Sequence, residues 1–155
     1  MAWCLLLSGL PNSGKSTIAY HLVQSRLRNV LVIDGDKHRE AQFLGRTLGF
    51  SREDIMENNL HVIKLARFAQ DQAINVIIAQ IAPYIEQRQL MRRELDGFYE
   101  VFCDCKEEVR SNRPNFRLSE LVYEEGGCDL FISTDAESIE ETVSFILLNW
   151  FDKLK

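Results

Sequence analysis

Gly9-Leu10-Pro11-Asn12-Ser13-Gly14-Lys15-Ser16 follows the apolar run Trp3-Cys4-Leu5-Leu6-Leu7 and opens an amphipathic segment, Lys15–Leu27. Gly9, Gly14, Lys15 and Ser16 fill every fixed position of GxxxxGK[ST], between a strand and a helix. A chance glycine-rich turn explains two glycines but not a Lys-Ser pair in register with them. The glycines let backbone N–H groups turn inward around a phosphate, and the helix N-terminus adds favourable potential for an anion. Lys15 is placed to reach the β and γ phosphates and the Ser16 hydroxyl to ligate Mg2+. The expected ATP contacts are therefore Gly9, Pro11, Asn12, Ser13, Gly14, Lys15, Ser16 and Thr17, the last continuing the first helical turn.

Strand-length apolar runs at Trp3–Ser8, Val30–Ile33, Asn75–Ala79, Tyr99–Cys103 and Leu130–Ser133 alternate with amphipathic stretches at Lys15–Leu27, Ile55–Ala73, Tyr84–Leu95 and Ser138–Trp150. That alternation predicts an α/β protein with three layers, a five-stranded parallel sheet and helices on both faces, which together with the loop at Gly9–Ser16 is read as a P-loop kinase fold. Lys37–Gly49 is less regular and is read as holding a short helix. Arg113–Gly127 has little periodicity and is read as a lid or loop. At 155 residues the chain suits one domain spanning 1–155.

Hydrophobic residues are 46% and charged residues 26% of the chain, ordinary globular usage, and three prolines and eight glycines leave no low-complexity linker. The net charge of -5 is not the footprint of a nucleic-acid binder. The first apolar run is far short of the roughly 20 residues that span a bilayer, so no membrane partner is expected. The start runs straight into the glycine loop rather than a cleavage site, so the expected location is the cytoplasm. Cys4, Cys103, Cys105 and Cys128 include no CxxC pair and are read as reduced, mostly buried thiols.

Val30-Leu31-Val32-Ile33 ends in Asp34-Gly35-Asp36, which puts two acids at the carboxyl end of a strand, the edge where open α/β sheets bind ligands. Phosphoryl transfer needs magnesium held near the phosphates and a carboxylate to orient or deprotonate the attacking hydroxyl, tasks these two acids can divide. The alternative is a polar turn that caps the next helix. Of the following Lys37, His38 and Arg39, the guanidinium fork of Arg39 best suits an anionic acceptor.

These residues resemble the adenylylsulfate kinase family, whose members use ATP to phosphorylate the 3′-hydroxyl of adenosine 5′-phosphosulfate. The likeness consists of Gly9 to Thr17, Ile33-Asp34-Gly35-Asp36 with Arg39, Leu48-Gly49-Phe50-Ser51, Glu57-Asn58, Ile81-Ala82-Pro83-Tyr84 and Tyr99-Glu100-Val101-Phe102-Cys103-Asp104, in the family's order. It implies that Asp36 is the catalytic base beside Lys15, and that Asp34 joins Ser16 at the metal. It also implies that Arg113 stacks on the ATP base, and that Asp36, Arg39, Phe50, Asn58 and Ile81 bind the acceptor. The alternative for Phe50 is a core side chain, and for Asn58 a solvated helix face. A homodimer is the assembly considered.

The chain departs from the family where the acceptor binds. Asp54-Ile55 stands where the family has Asp-Arg, Leu60 and His61 stand where it has consecutive arginines, and Ala82 replaces a serine. After Glu108-Val109-Arg110 the lid near 113–127 is about ten to twenty residues shorter than the family's, judged from usual loop lengths, with Phe116 and Arg117 as candidate replacements for lost contacts. Three functions follow as expectations. The first is an adenylylsulfate-kinase-like enzyme acting on a small nucleotide-like acceptor, the second a cytidine diphosphoramidate kinase or related enzyme, and the third a nucleotide-binding regulatory module without catalysis.

Overall fold

The computed structural model of the protein describes residues 1–42, 48–113 and 121–154. Five strands, β1 (Cys4–Ser8), β2 (Val30–Asp34), β3 (Asn75–Ala79), β4 (Phe98–Asp104) and β5 (Leu130–Ser133), form one parallel sheet in the order β2-β3-β1-β4-β5. Six helices accompany it among the described residues: α1 (Lys15–Gln24), α2 (Gly35–Gln42), α3 (Arg52–Asp71), α4 (Ile85–Glu94), α5 (Glu107–Arg110) and α6 (Ile139–Asn149), before a short 3-10 turn at Phe151–Lys153. Both faces of β1 are covered, which is why it reads as an unbroken apolar run.

Side chains alternate along β1. Leu5 and Leu7 pack with Ile18, Leu22, Val143 and Ile146 of α1 and α6, while Cys4 and Leu6 pack with Val62, Ala66 and Met91 of α3 and α4. Leu5, Leu6 and Leu7 are fully buried, and truncation of any one to alanine costs about 2–5 kcal/mol. Trp3 and Trp150 close the first layer edge-to-face, with ring centroids 4.8 Å apart.

All five predicted strands and four long helices are present, and the differences lie at ends and in short elements. The α3 helix starts three residues before the expected Ile55, because Ser51 is its N-cap and its Oγ accepts from the Asp54 N–H at 3.1 Å. At α6, Ser138 and Glu141 form a capping box, so the helix begins one residue later than predicted. The short helix expected within Lys37–Gly49 begins earlier, at Gly35, because Asp34 caps it. α5 is too short to show a periodic stripe and was not predicted. Cys4, Cys103 and Cys105 are buried free thiols and Cys128 is half-buried. No helix among the described residues is long and apolar enough to cross a membrane. Of the lid expectation, residues 114–120, with Phe116 and Arg117, lie outside the described residues.

Candidate active site

The phosphate loop leaves β1 at its carboxyl end, beside the point where strand order reverses, and opens on a cleft of about 1120 Å³. Gly9 adopts φ +137°, and a Cβ there would lie 2.5 Å from the Cys103 carbonyl oxygen, so only glycine fits. Gly14 adopts φ +95° at the head of α1, and Asn12 φ +62°, a conformation that asparagine tolerates. Lys15 is 8% exposed and its Nζ donates to the carbonyls of Gly9 at 2.8 Å and Leu10 at 2.7 Å, with Ser13 Oγ at 3.3 Å. Burial lowers the Lys15 pKa to about 8, against the opposing pull of Cys103, Asp36 and Asp34.

Distant segments brace the loop. Arg110 donates to the carbonyls of Pro11 (3.2 Å) and Cys105 (3.1 Å), and Arg113 to those of Asn12 (2.9 Å) and Thr134 (3.1 Å). The Thr134 hydroxyl lies 2.7 Å from the Ser13 carbonyl and 3.1 Å from that of Asp104. Arg113 thus lies at the loop, lining the cleft beside Gly14. Arg110 and Thr134 were not singled out from sequence, since neither belongs to a motif whose spacing signals phosphate.

Asp34 makes the capping turn that the sequence offered as one alternative, and it also meets Ser16 of the phosphate loop. Its Oδ2 accepts from Ser16 Oγ at 2.5 Å, and its Oδ1 accepts from the N–H groups of Asp36 (3.1 Å) and Lys37 (3.3 Å), capping α2. Asp36, the second residue of α2, lines the cleft and is exposed, and its carboxylate makes no hydrogen bond among the described residues.

Arg39, Phe50, Asn58 and Ile81 line the same cleft. The Arg39 guanidinium sits 4.6 Å from the Phe50 ring centroid and donates to the Gly49 carbonyl at 3.0 Å, so the two side chains form one stacked unit. Burial lowers the Arg39 pKa, and nearby Asp36 and Asp54 oppose the shift. Phe50 is 57% exposed, which corrects the core alternative: the turn after Gly49 turns its ring outward. Asn58 is 5% exposed and its Oδ1 accepts from His38 Nδ1 at 3.0 Å, so it is not on a solvated face. The Ile81 carbonyl accepts from the Gly9 N–H at 3.2 Å and ties this wall of the cleft to the phosphate loop. Of the expected residues, Gly9 and Ser13 do not line the cleft; they shape it from behind, through Lys15.

Residues 1–124 match the adenylylsulphate kinase family model. The adenylyl-sulfate kinase of Thermodesulfovibrio yellowstonii is 34% identical over 99% of this chain and 86% of its own length. The chain belongs to the adenylylsulphate kinase family. A probable adenylyl-sulfate kinase of Pseudomonas aeruginosa is 30% identical over 92% of this chain and 74% of its own. The Mycobacterium tuberculosis APS kinase CysC, solved in complex with AMPPNP and APS, is 25% identical and superposes with a TM-score of 0.80 over 96% of each chain. This family member is an ATP-dependent kinase, adenylylsulfate-kinase-like, a phosphotransferase with a hydroxyl acceptor.

Proposed function

We propose that the chain transfers the γ-phosphoryl group of ATP to a hydroxyl of a small nucleotide-like acceptor, with Asp36 as the base. The observation that carries this is the division between the two acids: both oxygens of Asp34 are engaged by Ser16 and the α2 N-terminus, while Asp36 is exposed in the same cleft. The loop from Gly9 to Thr17 holds the triphosphate. Lys15 exchanges its contacts with the Gly9 and Leu10 carbonyls for phosphate oxygens, and Arg113 flanks the nucleotide beside Gly14. Ser16 and Asp34, already hydrogen-bonded to each other, are the pair that would hold Mg2+, which supplies charge neutralisation at the phosphates. Their oxygen-only donor set fits that ion.

Asp36 takes the proton of the acceptor hydroxyl; that oxygen bonds to the γ-phosphorus as the bond to the bridging oxygen of ADP breaks. Arg39 and Phe50 present a cationic and aromatic plane to the acceptor, and Asn58 and Ile81 line the wall beside it. Ile55, in place of a family arginine, lines this end of the cleft, which favours an acceptor other than adenosine 5′-phosphosulfate, such as cytidine diphosphoramidate. Assembly as a homodimer belongs to the same proposal and is read by sedimentation velocity.

Asp36→Asn is the test. Mg-ATP affinity should stay near wild type, while turnover falls roughly 10²–10⁴-fold, the usual contribution of a positioned base. A parallel loss of ATP affinity and turnover would make Asp36 a metal-site residue and overturn the assignment. Binding of Mg-ATP with no ADP formed in the presence of any acceptor offered would instead support a non-catalytic nucleotide-binding module.

A further inference from the structure

Two glutamines outside the assigned set line the cleft. Gln80, directly after β3, is 7% exposed, and neither its Nε2 nor its Oε1 has a hydrogen-bond partner among the described residues. Gln87, on the first turn of α4, is 2% exposed, and its Oε1 is likewise without one. Buried amides in folded proteins are normally paired, because an unmet donor or acceptor carries its full desolvation cost. Both residues line the cleft, while these amide atoms themselves have almost no accessible surface, so a ligand meets them once the side chains turn toward it.

Their position makes the reading specific. A Cβ on Gly35 would lie 2.9 Å from the Gln80 Cβ, so Gln80 packs against the Asp34-Gly35-Asp36 turn, beside the proposed base. The cations among the described lining residues are Lys15, held in the phosphate loop, Arg113, on the ATP side, and Arg39, stacked on Phe50. Ile55 adds an apolar side chain where charge would otherwise be read. The acceptor end thus carries neutral amides beside the Arg39–Phe50 plane, and a carboxamide offers a donor and an acceptor side by side, matched to a base edge or an amide.

We propose that Gln80 and Gln87 determine acceptor specificity by hydrogen-bonding an uncharged donor–acceptor edge of the acceptor, either its nucleobase or an amide-bearing end group. This rests on the proposed function, since it presumes a nucleotide-like acceptor in this cleft.

The test compares the wild type with Gln80→Leu and Gln87→Leu, which keep volume and remove the amide. Mg-ATP binding is measured by calorimetry, and acceptor binding by titrating the ADP-loaded protein with adenosine 5′-phosphosulfate, cytidine 5′-diphosphate and cytidine diphosphoramidate separately. Each variant should bind the preferred acceptor about 10- to 100-fold more weakly, with ATP affinity unchanged. Tightest binding of cytidine diphosphoramidate over cytidine 5′-diphosphate assigns the amide end; equal binding of the two assigns the base edge. The melting temperature without ligand should hold or rise in Gln80→Leu, because an unpaired buried amide is replaced by an apolar group; a purely structural glutamine would give a fall. Acceptor affinity within twofold of wild type in both variants, or an equal loss of ATP affinity, would overturn the inference while leaving the kinase reading standing. A wild type that binds none of the three overturns both.

Discussion

Removing Arg88 tests how the loop at Ala82 is held. Arg88 is 3% exposed; its Nη1 donates to the Ala82 carbonyl at 2.6 Å and its Nη2 to the carbonyls of Glu124 and, at 3.3 Å, Gly126. Its Nε lies 3.0 Å from Glu100 Oε1, a charge contact whose N–H is not aligned as a hydrogen bond. Glu100 is 2% exposed, and burial raises its pKa even though Arg88, Ser8 and Arg92 pull it down. Arg88→Met would leave that carboxylate buried with Arg92, 3.9 Å away and largely exposed, and the Ser8 hydroxyl at 3.1 Å.

Breaking a buried ion pair from one side costs about 3–5 kcal/mol, and the remaining Arg92 contact puts this case toward the lower value. For a chain of this size each kcal/mol shifts Tm by about 2–4 °C, so the variant should melt roughly 6–12 °C below wild type. Ala82 is held at φ +49°, unfavourable for alanine, by the hydrogen bond that disappears. Its neighbours Ile81 and Pro83 line the cleft on the wall proposed to bind the acceptor, so KM for the acceptor should rise more than KM for ATP. Urea melts and steady-state kinetics read both effects, and Arg88→Met combined with Glu100→Leu should recover most of the stability. A loss under about 1 kcal/mol in the single variant, or no recovery in the double, would refute the buried-pair reasoning.

Lys15→Met should abolish transfer while the protein stays folded, as read by ADP release and circular dichroism. The folded Lys15 pKa, about 8 against an ordinary 10.5, means that the unfolded chain binds the extra proton between those values. The wild type should therefore gain stability relative to Lys15→Met as pH rises from about 8 toward 10.5, by up to roughly 3 kcal/mol, and a flat difference in denaturant melts would count against the shift. Gly35→Ala should destabilise by about 1–3 kcal/mol and raise acceptor KM, because its Cβ meets the fixed Cβ of Gln80 rather than a flexible tip; unchanged melting would mean that the turn has room. Glu100→Gln should remove a loss of stability that the wild type shows as pH rises above the ordinary carboxylate value of 4.5, since the folded pKa lies higher and the charged form is the costly one.

Strand positions, the phosphate loop and the Asp34-Gly35-Asp36 turn were legible in the sequence because each is governed by local rules: apolar periodicity, glycine geometry and helix capping. The loop needs Gly9 and Gly14 at positive φ and Lys15 one residue on, and those requirements are written within eight consecutive residues. Tertiary structure decided everything that depends on who meets whom across the fold. Asp34 became the engaged acid and Asp36 the exposed one only once Ser16, eighteen residues earlier, reached the end of β2. Phe50 could be core or surface until Arg39 stacked on it, and Asn58 solvated or buried until His38 packed against it. Arg88, Arg110, Thr134 and Gln80 carried no local signal, because their roles are set by carbonyls and cavities that residues distant in sequence bring together: hydrogen-bond satisfaction of a side chain is a property of the packed cleft, not of the chain.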